Sequence, residues 1–414
     1  MVLRPAALGL LGVFAVSVCQ AQAPALDLFT YEAPPHQVNQ ADDLGRTRAV
    51  GETVDTVMCA AGRSGRTTRV RVTPPNRALY SLRRNLIDGY FAIDPSPELD
   101  AIATRTDPVA LAKWYFFSAR EGIDLRHARI GVVAGSHESS WLTHQGYEIA
   151  LSVATPRQLV ALLRLNRIDA ALMDEQVMAG LNVDTEGPGA DLHSRFVRFA
   201  PLYLYFSDRF TRAAPEFAGR FNRFLPGCMK TALNLSDSEQ AFLRQQARKL
   251  LMELNASVSL DRALTDGPRL PTFADILNID KQWQALAPDQ SVPLADQLLT
   301  LPASRALRAW QDSHRGLVTE ALLITKSGTL AAMSQLTSDY WQGDEAKFRE
   351  NIRKAVTARF EESDLYLSPV RYDASTRQFQ VMVSAPLNAS DGSGNTGVIA
   401  LGLNISQALQ GLER

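Results

Sequence analysis

Two positions in the sequence place polar side chains where an α/β protein commonly binds a small molecule. In the first, a strand pattern at 129–133 leads through a Gly-containing turn into a helix start that carries Ser136 and His137. Backbone N–H groups at a helix start favour anions or carboxylates, although Ser136 would serve equally well as a simple N-cap. In the second, Asp174 follows the buried apolar run 168–173, and ligands in open α/β sheets bind at the carboxyl ends of strands. Asp174 also suits a loop or cap, so both of its roles stay open.

These positions belong to helix–strand units that occur twice in the chain. PNRALYSLRRNLIDGYFAID begins at Pro75, and PRQLVALLRLNRIDAALMDE begins at Pro156. Each copy opens with a Pro suited to a first helical turn, continues with apolar residues at helical spacing, reaches an Asn typical of a left-handed helix end and closes in a buried strand. We therefore predict two similar α/β lobes with a ligand cleft between them. The alternative is that any two helix–strand units look alike.

Length and charge limit the classes of protein that need considering. The chain has 414 residues, which predicts two or three folding units at ~100–200 residues each. Its formal net charge of −1 argues against a general nucleic-acid binder. The basic stretch 63–71 contains no aromatic residues and is better interpreted as a solvated loop.

The N-terminus has the pattern of an export signal. Arg4 precedes the apolar run 6–18, and small residues close it at Ala21 and Ala23. The run is shorter than the ~20 residues of a membrane anchor, so we expect cleavage after Ala21 and an exported, soluble protein that is not integral to the membrane. Lipidation at Cys19 is the alternative, although Val18 is bulkier than the small residue usual before a lipidated cysteine.

Removal of the signal leaves two cysteines, Cys59 and Cys228. Two thiols in an oxidising compartment favour a disulfide. Two isolated cysteines do not have the spacing of a metal site. We therefore predict a structural Cys59–Cys228 bond.

A set of segments in fixed order resembles a known family over about 25–255. They are the opening YEAPP, RALYSLRRNLIDGYF, RTDP followed by aromatic residues, the GVVAGS turn, TPRQLVALLRLNRIDAALMDE and the return APLYLYFS. In this order the chain resembles the extracellular solute-binding proteins of family 3, the periplasmic amino-acid-binding type. The resemblance implies a type II periplasmic-binding-protein fold, with crossovers near Phe117 and Phe199 and lobes that close on a ligand by hinge motion.

The resemblance also implies site residues, with one departure. Tyr31 and Glu32 match the end of the lobe-one strand that lines the cleft, and Asp174 matches the position that often meets a ligand amine. The family's carboxylate-clamping Arg is absent, because the matching segment is Ser-Pro-Glu-Leu, ending at Leu99. Leu cannot replace the planar guanidinium. Arg77 is a substitute near a helix start, where a surface role is equally open, and a cationic or neutral ligand is favoured over a free amino acid.

The end of the chain predicts a small α+β domain on an antiparallel sheet. The segment 326–328 gives a hairpin signal between two strand-like runs, TSDYWQGDEAKF follows, and three more strand-like runs close the chain. Over about 293–409 this order resembles the PDC, or Cache, sensor domain. The resemblance places Asp339, Tyr340, Trp341 and Asp344 at the edge of a ligand pocket, where an aromatic ring and a carboxylate hold a cation. The alternative makes Tyr340 and Trp341 core aromatics and the Asp residues helix caps.

The predicted fold class is therefore α/β, a two-lobe type II periplasmic-binding-protein fold followed by a C-terminal α+β PDC/Cache-like domain. The predicted organisation is a signal peptide (1–21), a solute-binding domain (24–260), a linker (261–292) and a sensor domain (293–414). Within the second of these, lobe one spans about 24–117 and 200–260, and lobe two spans about 118–199.

Three functions follow from these patterns. The leading one is a periplasmic protein that closes on a small solute, cationic or amino-acid-like, and passes it or its signal to a membrane transporter or receptor. The second is an enzyme, because some relatives of this fold are dehydratases, and it would need Glu32 or Asp174 as a general acid or base. The third is an interaction protein without a ligand. The sequence has no catalytic triad, metal triad or phosphate-binding Gly loop, so we expect no enzyme activity and no cofactor.

Overall fold

The computed structural model of the chain describes residues 24–41, 45–181, 192–229, 233–285, 290, 292–354, 360–388, 395–410 and 412. The predicted signal peptide, with Cys19, lies outside the described residues. Within them, none of the helices combines the length and the apolar character that a bilayer crossing needs.

The first domain contains strands and helices in alternation. Its strands are β1 (Leu26–Thr30), β2 (Val38–Ala41), β3 (Thr47–Val50), β4 (Thr68–Val72), β5 (Gly89–Ile93), β6 (Ala103–Ser118), β7 (Ile130–Val133), β8 (Ile149–Val153), β9 (Ala170–Asp174) and β10 (His193–Ser207). Its helices are α1 (Glu52–Arg63), α2 (Pro75–Arg83), α3 (Pro97–Asp100), α4 (His137–His144), α5 (Pro156–Arg164), α6 (Glu175–Gly180), α7 (Asp208–Ala213) and α8 (Phe217–Phe224).

One eight-stranded sheet runs through both lobes in the order β4-β1-β5-β10-β6-β9-β7-β8. In lobe one, β1 is parallel to β4 and β5. In lobe two, β7 is parallel to β8 and β9. The long strands β6 and β10 pair antiparallel with each other and pass from one lobe to the other. The predicted two-lobe α/β fold is therefore confirmed for this half of the chain.

The crossing lies a few residues before the predicted position in β6. Phe117 already pairs with Ala171 of lobe two, whereas β6 pairs only with β10 over 109–113. The opposite crossing in β10 spans 199–202, as predicted near Phe199. The family resemblance implied a crossing near Phe117, but pairing with β9 begins at Trp114 and fixes the earlier position.

The two copies of the repeat fold alike. Helix α5 begins 81 residues after α2 (156 − 75), and β9 begins 81 residues after β5 (170 − 89). Asn85 and Asn166 both adopt the left-handed conformation, with φ of 56° and 51°, as expected of an Asn beyond a helix end. The carboxylates of Asp88 and Asp169 each accept a backbone N–H at the neighbouring central strand, from Asp27 and Arg129.

The second domain (237–412) begins with five helices. They are α9 (Asp237–Ser257), α10 (Leu260–Asp266), α11 (Phe273–Gln284), α12 (Pro293–Thr300) and α13 (Pro302–Ser313). The remaining elements are β11 (Val318–Thr325), β12 (Leu330–Met333), α14 (Ala346–Arg349), β13 (Tyr366–Leu367), β14 (Arg371–Asp373), β15 (Gln378–Asn388), β16 (Asn395–Asn404) and α15 (Ile405–Ala408).

The strands of the second domain form one antiparallel sheet, in the order β12-β11-β16-β15-β13, with β14 also paired to β15. The predicted hairpin joins β11 to β12, and Gly328 takes the positive φ of 82° that its turn requires. This is the antiparallel α+β arrangement expected from the sequence. Its assignment to the PDC family stays a prediction.

Helix α9, within the residues that we expected to close the first domain, is bonded to the second domain through Arg244 and Glu253. Leu243, Ala247, Leu251 and Leu254 recur on one face of α9. This face is buried in the same core cluster as Trp310 and the strand β11. The expected linker, 261–292, likewise contains parts of α10 and all of α11. An apolar stripe on a helix has to be buried, and here it lies in a core cluster formed by residues of lobe two and of the second domain.

Cys59 and Cys228 form the predicted disulfide, with their Cα atoms 5.8 Å apart. Cys59 lies in α1 and Cys228 follows α8, so the bond ties the beginning of the first domain to its end.

Candidate functional site

A cavity of about 810 Å³ lies between the two lobes, which is within the usual range for a small-molecule site. Lobe one contributes Tyr31, Glu32, His36 and Thr73, lobe two contributes Ser136, Glu138, Arg157 and Asp174, and the crossing strands contribute Leu111, Trp114 and Leu202. The strand ends of both lobes therefore face one space, as the switch-point rule for α/β sheets predicts.

The lobes contact each other directly beside this cavity. The rings of Tyr31 in lobe one and His137 in lobe two lie edge to face, with centroids 5.1 Å apart. Nε2 of His36 lies 3.4 Å from Oδ1 of Asp174. A Cβ on Gly135 would lie 3.0 Å from the Asn76 side chain. Both lobes thus enclose the cavity.

Asp174 lines the cavity, but its carboxylate is also a structural cap. Oδ1 accepts the backbone N–H groups of Gln176 and Val177 at 2.9 and 3.1 Å. Oδ2 accepts the N–H of Lys113 at 2.8 Å, from the crossing strand β6. Asp174 therefore begins α6 and joins lobe two to the crossing strand, while its predicted contact with a ligand stays a prediction.

Glu138, in the first turn of α4, is a carboxylate at the cavity that the sequence analysis did not select. Burial, with a smaller contribution from the nearby Asp174 and Asp94 carboxylates, raises its pKa to about 7. Ser136 and a helix-start N–H act in the opposite direction. A positive charge brought into the cavity would favour the ionised form of Glu138.

Ser136 and His137 have different environments. Ser136 lines the cavity, and its Oγ caps α4 by accepting the N–H of Ser139 at 3.2 Å. His137 packs on Tyr31 behind the cavity wall, and its buried Nε2 has no hydrogen-bond partner among the described residues. Burial lowers the pKa of His137 to about 4, which keeps the ring neutral.

Two aromatic rings, Tyr31 and Trp114, line the cavity. Trp114 is held from behind by the Arg198 guanidinium, 5.1 Å from its ring centroid, and by the edge of Trp141. Burial raises the pKa of Tyr31, so its hydroxyl stays protonated. Aromatic faces beside a carboxylate favour a cationic ligand.

Of the other two residues predicted in lobe one, only Glu32 reaches the cavity, where its side chain is exposed. Arg77 is exposed on α2 and does not line the cavity. Leu99, at the position of the family's Arg, is buried in the lobe-one core with Leu82 and Ala78. Arg77 is therefore not placed to substitute for a carboxylate clamp.

The four residues predicted in the second domain do not share one environment. Tyr340 is fully buried and stacks on Trp283, with centroids 5.6 Å apart, and Trp341 packs edge to face on Phe273. Asp339 is half-buried, and its carboxylate accepts the Gln342 amide at 2.6 Å. Asp344 is exposed. The core-aromatic interpretation therefore describes Tyr340.

Two buried carboxylates of the second domain were not predicted. Asp280 in α11 accepts the backbone N–H groups of Tyr340 and Trp341 at 2.9 and 2.8 Å. Glu320 in β11 accepts the Gln380 amide at 2.7 Å, and burial raises the pKa of Glu320 to about 7. Among the residues that the structure describes, no cluster of three or more His, Cys, Asp or Glu side chains has the geometry of a metal site.

No family model and no curated protein matches this sequence. Several solved structures are similar to about half of the chain. One is an amino-acid ABC transporter substrate-binding protein from Streptococcus pneumoniae bound to L-arginine, with 15% identity, 50% of this chain and 92% of that chain covered, and a TM-score of 0.40.

Two further structures match to a similar degree. A histidine kinase sensor domain with similarity to periplasmic binding proteins shows 17% identity, 49% and 91% coverage and a TM-score of 0.41. An ancestral amino-acid-binding protein, a precursor of cyclohexadienyl dehydratase, shows 14% identity, 48% and 88% coverage and a TM-score of 0.39. At these identities the similarity concerns the fold of half the chain.

Proposed function

We propose that this protein is an exported, periplasmic binding protein that closes on a small solute between its lobes. The solute carries a positive charge, as an organic cation or a cationic amino-acid-like molecule. The protein passes the solute, or the signal of its presence, to a transporter or receptor in the membrane. The observation that supports this best is the cavity between the lobes, which the Glu138 carboxylate lines together with the rings of Tyr31 and Trp114.

The charges around the cavity favour a cation. Among the described lining residues there are three carboxylates, Glu32, Glu138 and Asp174, and one guanidinium, that of the exposed Arg157. Asp174 is already bound by three backbone N–H groups. Glu138 is half-buried and is therefore the acidic group best placed to bind an ammonium or guanidinium group, since a partly desolvated carboxylate gains from a charged partner.

The lobe-one wall is poorly suited to a ligand carboxylate. Leu99 occupies the core position at which the family's Arg would lie, and a buried carboxylate of the solute would need a cation or several N–H donors. Arg157 and the N–H groups at the start of α4 are the donors in lobe two. A solute without a carboxylate would therefore avoid this loss of binding free energy.

Binding is a better fit to the cavity than catalysis. The enzyme alternative required Glu32 or Asp174 as a general acid or base. Glu32 is exposed, and both oxygens of Asp174 accept backbone N–H groups. A general base needs a lone pair directed at its substrate; three backbone N–H groups orient the Asp174 carboxylate for a structural role, and the Glu32 side chain lies in solvent.

For the second domain we propose a sensor role of the PDC type. Its antiparallel sheet and the half-buried Asp339 support this assignment. The pocket would be formed by Asp339 with Asp344 and the exposed edge of Trp341. Tyr340 would support it from the core.

The proposed function is tested by thermal unfolding of the full mature chain against a panel of polyamines, quaternary amines, cationic and neutral amino acids, and organic acids. A solute at about 100 times its Kd stabilises the folded state by about 2.7 kcal/mol. We expect upward shifts with cations and none with organic acids of similar size. Stabilisation by acids alone, or by no member of the panel, would contradict the proposal.

A further inference from the structure

The second domain contacts the first domain at the strand that connects the two lobes. Strand β6 belongs to lobe one up to Pro108, where β10 is also paired to β5, and to lobe two from Trp114, where β9 joins it. Side chains of the second domain bind β6 at the two ends of the crossing, at Asp107 just before it and at Lys113, its last residue.

The first contact is made at Asp107, on the lobe-one side. Its buried carboxylate accepts Nε–H of Arg377 at 2.9 Å and the hydroxyl of Tyr372 at 3.0 Å, and Nη2 of Arg377 forms a further bond. Asn222 of lobe one donates to the same carboxylate at 3.2 Å and accepts the N–H of Asp107. A guanidinium–carboxylate pair of this kind fixes direction as well as distance.

The second contact is made at Lys113, on the lobe-two side. The Lys113 ammonium lies 2.9 Å from Oε1 of Glu239, in the first turn of α9. The hydroxyl of Tyr115 donates to the same oxygen at 3.4 Å. The backbone N–H of Lys113 donates to Asp174, which lines the cavity. One residue therefore connects the cavity wall with a helix of the second domain.

The two contacts belong to one packed body. Helix α9 is held against the rest of the second domain by Arg244, which donates to the carbonyl of Glu362 at 3.0 Å, and by Trp310, which donates to Glu253. Its apolar face is buried with strands β11 and β15. Arg377 immediately precedes β15. Arg377 and Glu239, which bind Asp107 and Lys113, are therefore held at a fixed separation by the second domain.

The second domain also contacts the other crossing strand, β10. The hydroxyl of Ser406 in α15 donates to the carbonyl of Phe199, within the crossing of β10. Phe199 and Leu111 are part of the core cluster that continues into the second sheet. Behind the cavity, Val370 and Phe379 of the second domain share a small space with His36 and Leu111.

Opening of the cleft would have to change the backbone angles of 109–113 and 199–202, because these residues connect the lobes. A body that holds β6 just before this segment, at Asp107, and at its last residue, Lys113, resists that change. We propose that the second domain controls the opening of the cleft: docked through Asp107 and Lys113 it holds the lobes together, and loss of either contact frees them to separate. This regulation concerns the cleft to which the proposed function assigns solute binding. By thermodynamic linkage, a solute that closes the lobes would strengthen the docking to the same extent.

The proposal is tested without any solute, by pulsed electron–electron spin resonance on the full mature chain. Spin labels are placed at Leu86 in lobe one and Leu165 in lobe two, whose side chains are 61% and 68% exposed. The reference protein should give one narrow distance distribution. In Arg377→Ala and Glu239→Gln we expect a second, wider population, with the open-to-closed ratio raised about 5- to 150-fold, the range of ordinary coupling energies.

Matched controls are Arg371→Ala, an exposed residue of β14, and Asp237→Asn, an exposed residue in the first turn of α9. Both should keep the single distribution. If Glu239→Gln fails to fold, Arg377→Ala still decides the question, because the Arg377 side chain is largely exposed. An unchanged distribution in folded Arg377→Ala, or an equal change in Arg371→Ala, would overturn the proposal. Because no solute is added, either result leaves the separate test of solute binding intact.

Discussion

The ammonium of Lys113 and the carboxylate of Glu239 form an ion pair 2.9 Å long with side chains that are 4% and 1% exposed. Both groups are well supplied with partners. The Glu239 carboxylate also accepts the N–H of Ser236 in a capping box, and the ammonium lies over the rings of Tyr115 and Phe199. The attraction within a buried ion pair offsets its desolvation penalty only when both groups are fully hydrogen-bonded. The Lys113–Glu239 pair meets this condition, and it joins the two domains.

Removal of one charge from this pair is expected to be costly. Glu239→Gln should lower the free energy of unfolding by about 3–5 kcal/mol, because the buried ammonium loses its buried counter-charge and keeps only the half-exposed Glu175 carboxylate at 3.7 Å. Asp237→Asn, in the exposed first turn of the same helix, should cost about 1 kcal/mol or less. Urea unfolding of the three proteins measures both values. A loss below about 1 kcal/mol in Glu239→Gln would show that water reaches the pair.

The disulfide should stabilise the first domain mainly through the long loop that it closes. Cys59 and Cys228 are 169 residues apart in sequence, and a cross-link that closes a loop of this size removes much of the conformational entropy of the unfolded chain. A Cys59→Ala, Cys228→Ala double variant should lose about 2–5 kcal/mol. Denaturant unfolding of this variant and of the oxidised protein measures the loss. Equal free energies of unfolding for the two proteins would mean that the disulfide does not contribute to stability.

Substitution by alanine should change the stability of the protein in opposite directions at two glycines, Gly402 and Gly219. A Cβ on Gly402 in β16 would collide with Oγ1 of Thr319 and Oε1 of Gln380, so Gly402→Ala should cost about 1–3 kcal/mol. A Cβ on Gly219 in α8 would meet no atom within 4 Å, so Gly219→Ala should stabilise by about 0.4–1 kcal/mol. Thermal unfolding compares them directly. Stabilisation by Gly402→Ala would refute the tight contact between β16 and the Thr319–Gln380 pair.

Affinity for a cationic solute should rise with pH. The pKa of Glu138 is about 7 without solute, and a cation binds the ionised form. Below pH 7 binding must first remove a proton, so affinity should fall by about tenfold per pH unit. His137, with a pKa of about 4, stays neutral over most of this range. Calorimetry between about pH 5.5 and 8.5 in buffers of different ionisation enthalpy should detect proton release. Glu138→Gln should remove the dependence, and a dependence that survives would assign it to another group.

Much of the first domain could be predicted because its signals are local. The Pro that opens α2 and α5 and the Asn that follows each helix fix the bounds of the two repeated units within a few residues. The two cysteines were few enough to pair without ambiguity. The lobes and the cleft then follow from the rule that helix–strand units pack into α/β layers.

The misplaced features depend on contacts between residues distant in sequence. The apolar face of α9 predicts burial but not the partners that bury it, so its bonds to the second domain were not predicted. Tyr340 suits a pocket as well as a core, and only its stack on Trp283 separates the two. Glu138 follows His137 directly, and the sequence does not show which of the two side chains faces the cavity. The AGSHESS turn was nevertheless the signal that could have found Glu138.

The central claim, that the cleft binds a cation through Glu138, is tested most directly by calorimetric titration of the full mature chain with the most stabilising member of the panel. We expect one binding site per chain. Glu138→Gln should weaken the affinity by about 10- to 150-fold, the range for loss of a charged hydrogen bond of about 1.5–3 kcal/mol. Glu148→Gln, an exposed carboxylate of the same lobe, should bind as the reference protein does. Unchanged affinity in a folded Glu138→Gln variant would contradict the account.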